Sequence, residues 1–171
     1  MRHIFFYTAV ICLMTVMSCK KNENKPGNAS FTSQLDFTTT IAAQPDLPPT
    51  DTTIAASADI SINDSRLNNC DRASLKSFYI EIKEPSNQTF DFCKEVHLLL
   101  SAPGIPETDV ISAVNISSTA RRIDFTVSDM DLVQFVRKNT MTAKLRIVLV
   151  KGFTQPIKVY GNMVFNVQEK L

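Results

Sequence analysis

Alternation with a period of two runs through almost the whole chain after residue 30, and it constrains the fold more than any other feature. Phe31, Ser33, Leu35, Phe37, Thr39 and Ile41 share one phase, while Thr32, Gln34, Asp36, Thr38 and Thr40 share the other. Successive side chains of a strand point to opposite faces, so such a segment buries one face and wets the other. The pattern predicts a second strand over 53–62, with Ile60 and Ile62 inward, and a third over 74–83 carrying Phe78, Ile80 and Ile82. A fourth over 90–101 places Phe90, Phe92, Val96, Leu98 and Leu100 on one side, with the charged Lys94 as the odd member of that side. A weaker fifth covers 110–116, and a sixth over 121–127 buries Ile123, Phe125 and Val127. The last two cover 142–151 and 157–168, with Gly161 marking a bulge or a close contact.

Breaks such as Gln44-Pro45-Asp46-Leu47-Pro48-Pro49, the polar stretch 63–71 and Ala102-Pro103-Gly104-Ile105-Pro106 read as loops. The segment Glu84-Pro85-Ser86-Asn87-Gln88 reads as a hairpin turn joining the third and fourth strands. Seven or eight short strands with hairpin-length loops make an all-β, two-sheet antiparallel β-sandwich, and an immunoglobulin-like strand order is expected. The tyrosine-corner and Cys-Trp-Cys marks of true immunoglobulin domains are missing. One short helix is expected near 129–138. Ser128-Asp129-Met130-Asp131 has the form of a capping box, and Leu132, Phe135 and Val136 follow at helical spacing. Such a helix would plug an open end of the sandwich.

The start of the chain has a different character. Met1, Arg2 and His3 precede an apolar run from Ile4 to Met17, which is shorter than the ~20 residues needed to span a bilayer. A basic start, a short apolar stretch and a small residue form a secretory signal. The sequence Val16-Met17-Ser18-Cys19 resembles the lipobox of bacterial lipoproteins. That resemblance implies cleavage between Ser18 and Cys19 and lipidation of the Cys19 thiol. Several acyl chains on one cysteine would anchor the protein stably, where one chain binds only marginally. Residues 1–18 would then be signal peptide and 19–29 a flexible tether. The tether, with Lys20, Lys21, Lys25 and Pro26-Gly27 but no aliphatic or aromatic residue up to Asn28, cannot bury apolar surface. Residues 30–171 would form the sandwich. Lys20 stands where an inner-membrane retention aspartate would stand in that family, so the resemblance implies the outer membrane, with periplasmic and surface faces both open.

Charge and composition exclude several functions. The chain has 18 basic and 17 acidic residues, and only Arg2 leaves with the signal, so the mature protein carries 17 of each. No basic face is available for nucleic acid. With four glycines and no tryptophan, neither phosphate-cradling loops nor tryptophan sugar platforms are expected. Of the four cysteines, Cys12 leaves with the signal and Cys19 takes lipid. In the hairpin of the third and fourth strands, Cys93 sits opposite Ile80 or its neighbours, and Cys70 lies roughly 30 Å along the strand. No disulfide between Cys70 and Cys93 is therefore expected, because a bridge needs Cα atoms within about 7 Å.

No residue constellation points to catalysis, a cofactor or a metal. His97 is the one histidine left after cleavage and sits between Val96 and Leu98, facing away from the apolar side. Zinc takes several Cys or His ligands, and the spacing offers His97 none. Asp129 and Asp131 suit helix capping, and Asp91, Asp109 and Asp124 show no carboxylate partner. The sequons at Asn28, Asn63, Asn87 and Asn115 read as chance. Asp51-Thr52-Thr53 resembles an O-glycosylation motif of some bacterial outer proteins and is expected in a loop. Among aromatics, Tyr79 and Tyr160 fall on outward phases and are the candidate ligand contacts. The loops 44–52, 102–109 and 152–156 are the candidate recognition elements. These readings expect a lipid-anchored envelope protein of binding or structural type, partnered by the membrane and by an envelope protein or glycan. Two rivals remain. A weak or accessory hydrolase of envelope glycans would need an acidic cleft joining Asp91, Asp109 or Asp129. A hydrophobic-ligand carrier would need a hollow sandwich.

Overall fold

The computed structural model describes residues 29–46 and 52–170. The stretches expected to be signal peptide, lipobox and, as far as residue 28, tether lie outside the described residues. Among the described residues eight strands form: β1 (Ser30–Ile41), β2 (Thr52–Ser61), β3 (Cys70–Glu84), β4 (Cys93–Ala102), β5 (Ile105–Val114), β6 (Arg122–Asp124), β7 (Thr140–Leu149) and β8 (Ile157–Glu169). They make two four-stranded antiparallel sheets, ordered β1-β8-β3-β6 and β2-β7-β4-β5. The all-β sandwich is as the alternation predicts.

Its strand order corrects the immunoglobulin-like expectation. An immunoglobulin sandwich keeps its first two strands together in one sheet. Here β1 and β2 lie in different sheets, and only β4 and β5 are sequence neighbours that pair. Every other connection crosses from one sheet to the other, which is the wiring of an eight-stranded jelly roll. The supposed hairpin between β3 and β4 is one such crossing. Ile80 pairs with Gly161 and Ile123, and Cys93 pairs with Leu149, so Cys93 and Ile80 are not partners. Alternation fixes which face of a strand is buried, but both sheets bury the same kind of face, so it cannot assign a strand to a sheet.

The core lies between the sheets. Phe78, Phe90, Phe92, Phe135 and Phe165 are all fully buried, as are Ile80, Ile82, Leu98 and Leu100. Each such side chain contributes roughly 1.5–3 kcal/mol by leaving water. Phe78 stacks between Phe37 and Phe125, at centroid distances of 6.4 and 4.5 Å. Phe37 pairs with Gly161, and a Cβ at that glycine would enter the Phe37 ring, so Gly161 provides the expected close contact. A register shift between Cys93 and Glu95 explains the charged Lys94 on the apolar phase: the bulge turns it to solvent while Cys93 and Val96 stay inside.

The helix α1 is only Val133–Val136, shorter and later than expected. Ser128 does not cap it; Leu132 occupies the N-cap position and makes no side-chain cap bond. The carboxylate that serves the helix start is Asp131, which accepts from Val133 N–H at 3.0 Å and from Ala73 N–H at 3.2 Å. Asp129 is drawn off to Arg72. Leu132, Phe135 and Val136 are buried, and Leu132 N–H donates to Ala73 O at 2.6 Å, so the turn closes one end of the sandwich against β3.

The two ends have different contents. Ser30 pairs with Gln168, and that end also holds the 3-10 turn Ser65–Asn69, the β4–β5 turn and α1. The opposite end holds the connections 85–92, 115–121 and 150–156. Twelve residues of β1 separate the two ends, roughly 36 Å at strand spacing.

Candidate functional site

The antiparallel register brings the two outward tyrosines together. Tyr79 pairs with Asn162 on β8, and Tyr160 pairs with Glu81 on β3, so the phenols are diagonal neighbours. Their ring centroids are 6.1 Å apart. Both rings are half-buried by polar neighbours. The Arg122 guanidinium lies 3.6 Å from the Tyr79 centroid, and Lys83 Nζ lies 5.2 Å from that of Tyr160. Arg122 is held in turn by Asp124 at 2.6 Å, and Lys83 by Glu81 at 2.7 Å. Burial, and the Asp36 carboxylate that accepts its hydroxyl, push the Tyr160 phenol up to about 12. Partial burial opposes ionisation of Asp36, but donors from Asn162, Tyr160 and Gln34 outweigh it and hold the carboxyl below its usual range. The outer face of this sheet is thus a cross-linked polar mosaic in which cations already occupy the tyrosine faces.

The outer face of the other sheet carries His97. Its Nε2 lies 2.7 Å from Glu95 and its Nδ1 2.8 Å from Asp109, and Arg146 reaches both Asp109 and Nδ1. The ring is pinned between two carboxylates and a guanidinium, and among the described residues no hydroxyl or thiol hydrogen-bonds to it. Among the described residues no group of three or more His, Cys, Asp or Glu side chains is arranged to hold a metal ion.

The acidic cleft required by a hydrolase does not form from the named residues. Asp91 pairs with Lys151 at the far end, opposite Ser30, Asp109 with Arg146 on the sheet face, and Asp129 with Arg72 at the Ser30 end. The filled interior likewise leaves the named phenylalanines no hollow to line. Cys70 and Cys93 begin strands at opposite ends, and both are buried and unpaired. The Cys70 thiol donates to Leu67 O at 3.1 Å. Burial raises both thiols, Cys93 to about 12.

The three candidate loops separate. Segment 102–109 is no loop: Pro103-Gly104 makes a tight turn, with Gly104 at φ 79°, and Ile105 already begins β5. That turn lies at the Ser30 end. Segments 44–46 and 152–156 meet at the far end, where Gln44 and Phe153 exchange backbone hydrogen bonds of 2.9 and 3.0 Å. Residues 47–51 lie outside the described residues. Thr52 and Thr53 open β2, which places two-thirds of the Asp51-Thr52-Thr53 motif in a strand instead of a loop.

A cleft of about 360 Å³ opens beside this junction, lined by Pro85, Asn87, Gln88, Asp91, Lys151–Phe153, Thr154 and Gln155. Gln88 Nε2 donates to Asp91 Oδ1 at 3.2 Å, and Lys151 pairs with the same carboxylate. Phe153 backs the cleft and packs on Phe92 at 4.8 Å. Asn87 and the Asp91–Lys151 pair were not expected to join the 152–156 loop, because the 84–88 segment read only as a turn.

No family model matches the sequence, and the search of curated proteins found no match. Ten solved chains resemble the fold. One is described as the X-ray structure of GH31 CBM32-2 bound to GalNAc; it is 15% identical, with 70% of this chain and 68% of that one covered and a TM-score of 0.32. Turnip yellow mosaic virus (10% identity, 84% and 96% covered) and Desmodium yellow mottle tymovirus (13%, 85% and 91%) both score 0.27. Likenesses this distant carry no ligand, activity or partner across to this chain.

Proposed function

We propose that this chain is a lipid-anchored cell-envelope protein of binding type, tethered through Cys19 to the outer membrane, with the far end of its jelly roll turned away from the lipid. The lipobox-like Val16-Met17-Ser18-Cys19 motif motivates the anchor. The observation that carries the orientation is where the chain enters the fold. β1 starts at Ser30, eleven residues after Cys19, and runs from the end closed by α1 toward the end that gathers the long crossing connections. Eleven residues reach at most ~40 Å when extended, and a flexible segment of that length averages roughly 17–20 Å. The tether end is therefore held close to the bilayer, and the connections 85–92, 115–121 and 150–156 stand a further β1 length outward. Recognition by loops on a rigid scaffold is the usual use of such an arrangement.

The test is placement in reconstituted liposomes. The lipoprotein is labelled at Asn87→Cys or at Lys138→Cys, and energy transfer to a lipid-borne acceptor is read. The account expects strong transfer from position 138 and weak transfer from position 87. The reverse order sinks the orientation. The Cys19→Ser variant is expected in parallel either to leave the membrane fraction or to stay unprocessed, and a variant that is cut at residue 18 yet still retained sinks the anchor.

A further inference from the structure

We infer that the far-end cleft is a binding site for a neutral, hydroxyl-rich ligand, an oligosaccharide, and this deepens the binding reading above, on which only its outward orientation rests. Its volume, about 360 Å³, falls within the range of small-ligand sites. Its chemistry is specific. Asn87, Thr154 and Gln155 are exposed on its rim and form no side-chain hydrogen bond among the described residues. Two carboxamides and a hydroxyl offer both donors and acceptors, which suits hydroxyl groups that also do both.

Charge points the same way. The charged side chains lining the cleft, Asp91 and Lys151, pair with each other and cancel. An anionic or cationic ligand would meet no net opposite charge, whereas a neutral one can use the remaining lone pairs of Asp91 as acceptors. An extended peptide would need free backbone groups, and Gln44 and Phe153 already spend theirs on each other.

The walls are fixed before anything binds. Gln88 is tied to Thr89 O at 2.7 Å and to Asp91, and Thr89 Oγ1 donates to Ser118 O at 2.8 Å. Gly152 sits so close to Gln44 and Pro45 that a Cβ there would lie 2.6 Å from Gln44 O. Pre-set walls reduce the ordering cost of binding. Another cleft, between β1 and β2, differs in place and in charge. It lies at the tether end, and its lining includes Asp36, Asp59 and Asp64 against Arg66 alone.

The probe is a panel of immobilised neutral oligosaccharides of hexoses and N-acetylhexosamines, offered to the full lipoprotein in detergent micelles. Calorimetry follows on whatever binds. Binding is expected, with affinity at least tenfold weaker in Asn87→Ala and in Gln155→Ala, since each removes a ligand partner. Thr32→Ala, in the tether-end cleft, should bind as the parent does. Two results overturn the proposal: no member of the panel binding up to millimolar concentration, or binding that survives both far-end variants unchanged. Capture of charged glycans alone also overturns it. In each of these cases an acylated mature mass would leave the anchored reading standing, so the two failures are distinguishable.

Discussion

Replacing Gly161 by alanine tests the packing argument at its tightest point. Gly161 faces inward on β8, opposite Phe37 of β1, and a Cβ built there overlaps the Phe37 ring. The ring is 5% exposed and stacks on Phe78, which packs in turn on Phe125, so it has no open side to move into. Overpacking of this kind costs about 1–3 kcal/mol. Glycine in a strand interior is itself unfavourable by roughly 0.5–1 kcal/mol, which offsets part of that cost. The net expectation is a destabilisation of about 1–2 kcal/mol, a fall in Tm of roughly 3–8 °C for a domain of this size. Urea unfolding should show a lower midpoint at an unchanged slope. Phe37→Leu shortens the obstructing side chain, so Gly161→Ala should cost almost nothing in that background, giving a coupling of about 1 kcal/mol or more. Equal costs of Gly161→Ala in the two backgrounds would refute the reasoning.

Three further outcomes are expected. Tyr160 should titrate near 12, and because its folded pKa exceeds the ordinary value of 10, its contribution to stability is complete below about pH 10 and lost as pH rises through about 12. Absorbance titration of Tyr79→Phe should show this shift and its reduction in Asp36→Asn; an unchanged titration in Asp36→Asn contradicts the Asp36–Tyr160 bond. Asp131→Ala removes the acceptor shared by Val133 and Ala73 and should cost about 1 kcal/mol by thermal unfolding, and a loss near zero would show that the helix start needs no cap. Cys70 and Cys93 should resist a thiol reagent until the fold opens, because both are buried and raised; rapid native labelling of either would contradict their placement.

Much of the sandwich was legible because burial in a strand obeys strict alternation. Leu35, Phe37, Phe78, Ile80 and Phe125 are inside as read, while the sixth strand stops at Asp124 and leaves Val127, like Phe31, only partly buried; the misfit Lys94 marks a bulge. What alternation does not encode is partnership. The chain after β3 carries a hairpin's turn residues at 84–88, yet the connection runs over 85–92 and crosses to the other sheet. The helix start was misplaced because Asp131 serves Ala73 of β3 as well as Val133, a contact 58 residues away that no local motif contains. Tyr79 and Tyr160 were legible as outward residues, but their meeting depends on the β3–β8 register. The far-end cleft was half legible: 152–156 stood out as a loop, while Asn87 and Asp91 join it only through the crossing connection.

The most direct measurement is the intact mass of the protein purified from the membrane fraction. The account predicts a chain beginning at Cys19 that carries the added mass of acyl chains. A chain that starts elsewhere, or that begins at Cys19 without lipid and is found in the soluble fraction, would contradict it.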